Sequence, residues 1–211
     1  KNNLEKNPID ILWLEQPKKP SSKVFLQNLN YSGKNFSDKI KEMQKKLKEN
    51  KCNYYFITSL DSIAWILNLR GSDIDYTPIN LAYLILPASG KAMLFANLEK
   101  FDDSIISTLS LEIQILNFQM LEKKISQLPQ TSTVGIDENK TPYWFINQLN
   151  KKNIKLKIME DPCYYHKAIK NITELDGARK ANIRDGASVT KFLFWLKNYT
   201  EIEKLDELSA R

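Results

Sequence analysis

Histidine occurs once in this 211-residue chain, at His166, and cysteine twice, at Cys52 and Cys163. A zinc site built from Cys and His wants about four donors, and the chain offers three. Any Ser-His-Asp or Cys-His arrangement would have to run through His166, and no GxSxG nucleophile elbow occurs. Two cysteines without CxxC spacing make no disulfide framework, which predicts a reducing, cytoplasmic setting. The glycines, Gly33, Gly71, Gly90, Gly135, Gly177 and Gly186, are isolated, so neither GxGxxG nor GxxxxGK[ST] is available to cradle a phosphate. Long apolar runs are missing as well. None approaches the roughly 18–20 residues that cross a bilayer, and the opening KNNLEKNPID lacks a signal-peptide core. No membrane partner is predicted.

What is present describes an ordinary globular chain, with 42% hydrophobic and 27% charged residues. The net charge of +6 raises the question of nucleic acid. Much of the excess lies in Ser37–Lys51, where lysines mix with acids at helical spacing, the pattern of a solvated helix face. Elsewhere the basic residues are mostly dispersed lysines, without the clustered arginine and exposed aromatics of nucleic-acid readers. No nucleic-acid partner is predicted.

Read in order, residues 1–22 hold NPIDILW and then the proline-bearing EQPKKPSSK, the texture of an interdomain linker. Val24–Leu26 is a short strand candidate, and Ser37 is placed to cap a helix with Ile40, Met43 and Leu47 inside. Tyr54–Ile57 reads as an inner strand, the Leu60 helix follows, and Leu81–Leu86 with Ala92–Ala96 form a hairpin. Helices near Leu98–Leu109, Met120–Leu128 and Thr141–Leu149 then alternate with strands at Glu112–Leu116, Thr133–Asp137 and Ile154–Ile158. This predicts an α/β domain over 23–162, a mixed β-sheet flanked by helices. Residues 163–211 differ: a long helix from about Ile172 to Tyr199, opened by an Asn171/Glu174 capping box, and a short helix at Ile202–Arg211. Leu175, Ala178, Ala181, Val189, Phe192, Leu193 and Leu196 give the long helix an apolar stripe in need of a partner. Trp13, Trp65, Trp144 and Trp195 are expected in cores.

The stretch LDSIAWILNLRGSDIDYTP, Leu60–Pro78, carries the candidate site residues Arg70, Asp73 and Asp75. The apolar run stops at Arg70-Gly71, where Gly71 can take a left-handed conformation and end the helix. Two alternating carboxylates suit Mg²⁺ or Mn²⁺ in principle, while acids in such loops more often serve as caps. The stretch reads as a site or as a domain joint, with an Arg–carboxylate pair fixing its shape. His166, in YYHKAIKN, reads as an interdomain surface histidine.

TSLDSIAWILNLRGSDIDYTPINLAYLIL (Thr58–Leu86) resembles the middle domain of the three-domain Xaa-Pro aminopeptidases. NPIDILW with its proline linker resembles the joint between that family's first and middle domains, while KAIKNITELDGARKANIRDGASVTKFLFWL (Lys167–Leu196) and EKLDELSAR resemble the opening helices of its pita-bread catalytic domain. The three occur in family order. The resemblance implies a creatinase-N-like middle domain, a missing first domain and a truncated catalytic domain at 163–211. It implies a parent that releases an N-terminal residue preceding proline, using two divalent ions, commonly manganese, and forming a homodimer. The family's metal ligands, two Asp, one His and two Glu, lie downstream. No position here matches them, so neither catalytic nor metal residues are expected in this chain, which would be an inactive scaffold and substrate-access domain. Tyr164-Tyr165-His166 stands where the family is more aliphatic. A stand-alone, non-catalytic binding module of the same fold is the competing reading.

Overall fold

The computed structural model describes residues 8–199 and 205–208. Its elements run α1 (Pro8–Leu12), β1 (Phe25–Leu26), α2 (Leu29–Ser32), α3 (Phe36–Glu49), β2 (Tyr54–Ile57), α4 (Leu60–Leu67) and β3 (Leu69–Arg70). Then come β4 (Tyr83–Pro87), β5 (Ala92–Phe95), α5 (Asp103–Leu109), β6 (Ile113–Leu116), α6 (Leu121–Ser126), β7 (Thr133–Ile136), α7 (Tyr143–Lys151), β8 (Lys155–Ile158), α8 (Cys163–Ala168) and α9 (Ile172–Asn198). Six strands form one mixed sheet in the order β6-β5-β4-β2-β7-β8. The hairpin makes β4 antiparallel to β2 and β5, while β5–β6, β2–β7 and β7–β8 are parallel. The small β1–β3 pair is antiparallel.

Because side chains alternate across a strand, successive residues of the inner strands feed two cores. Tyr55, Ile57, Leu84, Leu86 and Leu94 pack with Ile40, Met43 and Leu47 of α3 and Ile63, Ile66 and Leu67 of α4. Phe56, Ile85, Phe95, Val134 and Ile136 face the other way, onto Leu121 and Ile125 of α6 and Phe145 and Leu149 of α7. The continuous apolar run Tyr54–Ile57 is therefore an inner strand, as its composition predicts. Gly135 leaves room for the Tyr55 ring: a Cβ there would fall 2.5 Å from Tyr55 Cδ2.

Several local expectations shift. Asn35, not Ser37, caps α3, its Oδ1 accepting from Asp38 N at 2.8 Å; Ser37 Oγ instead donates to Glu112. The Leu60 helix stops at Asn68, which takes the left-handed conformation (φ 52°) expected of Gly71. Asn tolerates that region through its short polar side chain. Gly71 serves closeness instead, since a Cβ there would lie 2.9 Å from Asn80 Cβ. The N-terminal connector contains α1, and the Leu98–Leu109 helix is split into a 3₁₀ turn at Leu98–Lys100 and α5. None of the four tryptophans is fully buried: Trp13, Trp144 and Trp195 are exposed and Trp65 is intermediate. The capping box at Asn171 and Glu174 forms as expected. The short helix expected at 202–211 falls largely outside the described residues, and 205–208 are not helical.

Candidate functional site

The loop between β3 and β4 is tied down by one carboxylate. The Asp73 carboxylate is fully buried and pairs with the Lys100 ammonium, whose side chain is 2% exposed. Its Oδ1 accepts from Ser22 Oγ at 2.9 Å and its Oδ2 from the Leu81 N–H at 2.6 Å. Ser22 Oγ in turn accepts from the Ser72 N–H. One side chain thus joins the N-terminal connector, the loop and the 3₁₀ turn before α5. A charge this deep is tolerable only when paired and hydrogen-bonded throughout, and Asp73 is.

Arg70 and Asp75 do not join it. The Arg70 guanidinium donates to the carbonyls of Ala64 (2.5 Å) and Leu69 (3.0 Å), closing the end of α4. The expected Arg–carboxylate pair is replaced by this backbone cap and by the Lys100–Asp73 pair. Burial lowers the Arg70 pKa while nearby Glu174 opposes the shift. Asp75 is exposed, and its carbonyl accepts from Thr77 Oγ1.

Behind α4, Lys39 of the lysine-rich α3 is only 1% exposed, a departure from the solvated face expected there. Its ammonium donates to Trp65 O (3.0 Å) and Asn68 Oδ1 (2.7 Å) and lies 4.5 Å from the centre of the Trp65 ring. Burial pulls its pKa down from 10.5 to about 8, against Glu174. His166 lies in α8, half-buried, with Nδ1 3.5 Å from Glu42 Oε1.

A cleft of about 740 Å³ opens at one end of the sheet. Segments leaving the carboxyl ends of three strands line it: Thr58 and Leu60 after β2, Phe118, Gln119 and Glu122 after β6, and Lys140, Pro142 and Trp144 after β7. Leu81, Ala82 and Tyr83, entering β4, complete the wall with Lys19 of the connector. Its aromatic side is a chain of edge-to-face contacts: Trp144–Phe145 at 5.2 Å, Phe145–Tyr83 at 5.0 Å and Tyr83–Phe118 at 5.9 Å. Thr58 Oγ1 donates to Lys140 O at 2.9 Å, bridging the ends of β2 and β7. Asp73 reaches this wall through the Leu81 N–H. Sequence reading missed the cleft and both buried lysines. The lining residues are scattered from 19 to 145, and the partners of Asp73 at Ser22 and Lys100 lie 51 and 27 positions away.

The resemblance implies divalent ions in the parent enzyme. Among the described residues, no three His, Cys, Asp or Glu side chains gather where they could share an ion. Asp73 is committed to Lys100, Ser22 and Leu81. The described residues do not fit a metal centre.

The Creatinase/Prolidase N-terminal domain family matches residues 15–174. A Probable Xaa-Pro aminopeptidase P of Pyrenophora teres f. teres is 31% identical over 98% of this chain and 33% of its own length. A second, of Ajellomyces capsulatus (strain H143), is 33% identical over 98% of the chain and 35% of its own. The chain thus spans about a third of the length of these relatives. Among solved structures, the X-prolyl aminopeptidase of Caenorhabditis elegans, described as a cytosolic enzyme with a di-nuclear active site, superposes with a TM-score of 0.81 at 27% identity, over 94% of this chain and 34% of that one. The prolidase of Pyrococcus horikoshii shares the fold at 19% identity and a TM-score of 0.53. With its mixed six-stranded sheet and helices on both faces, the chain belongs to the creatinase/prolidase N-terminal domain family.

Proposed function

We propose that this chain is the middle-domain portion of a metal-dependent aminopeptidase that releases an N-terminal residue preceding proline. Residues 23–162 form the creatinase-N-like domain, 1–22 the joint to a preceding domain, and 163–211 the opening helices of a catalytic domain. The observation that carries this reading is the superposition over 94% of the chain on an X-prolyl aminopeptidase. The chain corresponds to about a third of that enzyme, and the named relatives share the same proportion. In this reading the reactive centre, with two divalent ions, commonly manganese, is supplied by the catalytic domain of a cytoplasmic, homodimeric parent. This portion is a scaffold without activity of its own, and the Arg70–Asp75 loop borders a neighbouring domain or the substrate entrance.

The test is hydrolysis by the full-length protein supplied with Mn²⁺. Release of the first residue from an Xaa-Pro-Yaa peptide, with a matched Xaa-Ala-Yaa peptide spared and residues 1–211 inactive, is expected. An intact Xaa-Pro-Yaa peptide after incubation with the metal-loaded full-length protein would overturn the assignment.

A further inference from the structure

The strands β2 and β7 are parallel neighbours whose following helices leave to opposite faces of the sheet. The buried residues of α4 join the core shared with α3, and those of α7 join the core shared with α6. Such a reversal opens a crevice outside the carboxyl ends of the two strands, the place where α/β sheets receive ligands. The 740 Å³ cleft lies there, within the roughly 300–1,000 Å³ of small-molecule sites. Two independent features, the topology and the cavity, therefore fall on one location.

Its lining selects a chemistry. Trp144, Phe145, Tyr83 and Phe118 hold one another edge to face, so an apolar ring meets a preformed aromatic wall with little side-chain ordering left to do. Trp144 is 41% exposed, so it offers surface that nothing within the described fold covers. Two lysines, Lys19 and Lys140, stand against one acid, Glu122, giving the lining a net positive charge. Lys140 Nζ has only a long 3.9 Å approach to Asp137 and lies 5.1 Å from the centre of the Tyr164 ring. An incoming carboxylate would compete for this ammonium with Asp137 and the Tyr164 ring through a charge-assisted hydrogen bond.

We propose that this cleft binds the C-terminal end of a short proline-containing peptide, the prolyl ring against Trp144 and Tyr83 and the free carboxylate beside Lys140 and Lys19. The choice of a prolyl rather than another apolar ring rests on the function proposed above. The anionic, ring-bearing character rests on the cleft alone. Asp73 acts as a positioning residue, since it fixes Leu81 in the wall and, through Ser22, the connector that carries Lys19.

N-acetyl-phenylalanyl-proline is a suitable probe, because its blocked amine keeps it from being a substrate for release of an N-terminal residue. Calorimetric titration of the full-length protein should give saturable binding, weakened at least tenfold by amidation of the probe's carboxyl group. Lys140→Gln should produce the same loss while keeping the backbone carbonyl that Thr58 uses, and Trp144→Ala should weaken acid and amide alike. Circular dichroism and the melting temperature report whether either variant remains folded. No saturable binding in the millimolar range, equal affinity for acid and amide, or unchanged affinity in both folded variants would overturn the proposal. If Xaa-Pro peptides are cleaved but the titration fails, the cleft assignment falls alone. If the acetylated acid binds as described but no peptide is cleaved, the cleft assignment stands and the aminopeptidase reading falls.

Discussion

Three successive residues of β4, Leu84, Ile85 and Leu86, are all buried, whereas the 27 residues of α9 bury none. The two regions contain the same kinds of apolar residue. What separates them within these 211 residues is what each has to pack against. Alternation lets a strand between two helical layers fill both cores, and each buried Leu, Ile or Phe is worth about 1.5–3 kcal/mol. In α9, Val189, Phe192, Leu193 and Phe194 remain exposed. The helix is joined to the body chiefly at its start, where Asn171 Nδ2 donates to Ser32 O at 2.9 Å and the capping box closes the first turn. A helix without tertiary burial has little beyond propensity to sustain it. Within these 211 residues the body is a framework with cores of its own, and α9 is an arm held chiefly at its start.

The comparison can be broken most sharply at Asp73. Asp73→Ala leaves the Lys100 ammonium buried and unpaired, and loss of one partner of a buried pair costs about 3–5 kcal/mol. Urea denaturation followed by a sheet-sensitive signal should show that loss in the body. Next is the pH dependence set by Lys39. A lysine whose native pKa of about 8 lies below its ordinary 10.5 binds fewer protons folded than unfolded between those values. Stability from this group therefore rises as pH climbs through that window and is at its lowest below about 8. Lys39→Met should flatten that rise, measured as urea midpoints across the range.

Gly135→Ala would press a methyl group onto the Tyr55 ring and, at 3.1 Å, Met159 Sδ. Overpacking of this kind costs about 1–3 kcal/mol, and the melting temperature of the body should fall accordingly. Asn171→Ala removes a cap and the tether to Ser32, a cost of about 1 kcal/mol. Its effect should be confined to helical content and exchange protection at the start of α9, leaving the denaturation midpoint of the body nearly unchanged.

The body was largely legible in the sequence because its signals are local. Tyr54–Ile57 is an apolar run of strand length and Pro87–Gly90 marks the hairpin turn; in the arm, too, the capping box of Asn171 and Glu174 is a local signal. The parts that escaped depend on chain crossings. Lys39 and Lys100 look like solvent lysines until Asn68 and Asp73 are placed beside them, and nothing in a lysine's neighbours along the chain announces a buried partner. The cleft escaped for the same reason, since strand order decides which turns meet at one end of the sheet. Asn68 takes the helix-ending role expected of Gly71 because either residue can end a helix, and only the close approach of Asn80 shows why the glycine stands where it does.

Amide hydrogen exchange on the 211-residue chain, resolved by peptide, tests the division between framework and arm most directly. Amides of β2, β4 and β7 should exchange only through global unfolding, while those of α9 beyond its first turn should exchange orders of magnitude faster. Protection of the α9 amides equal to that of β2 would contradict the account.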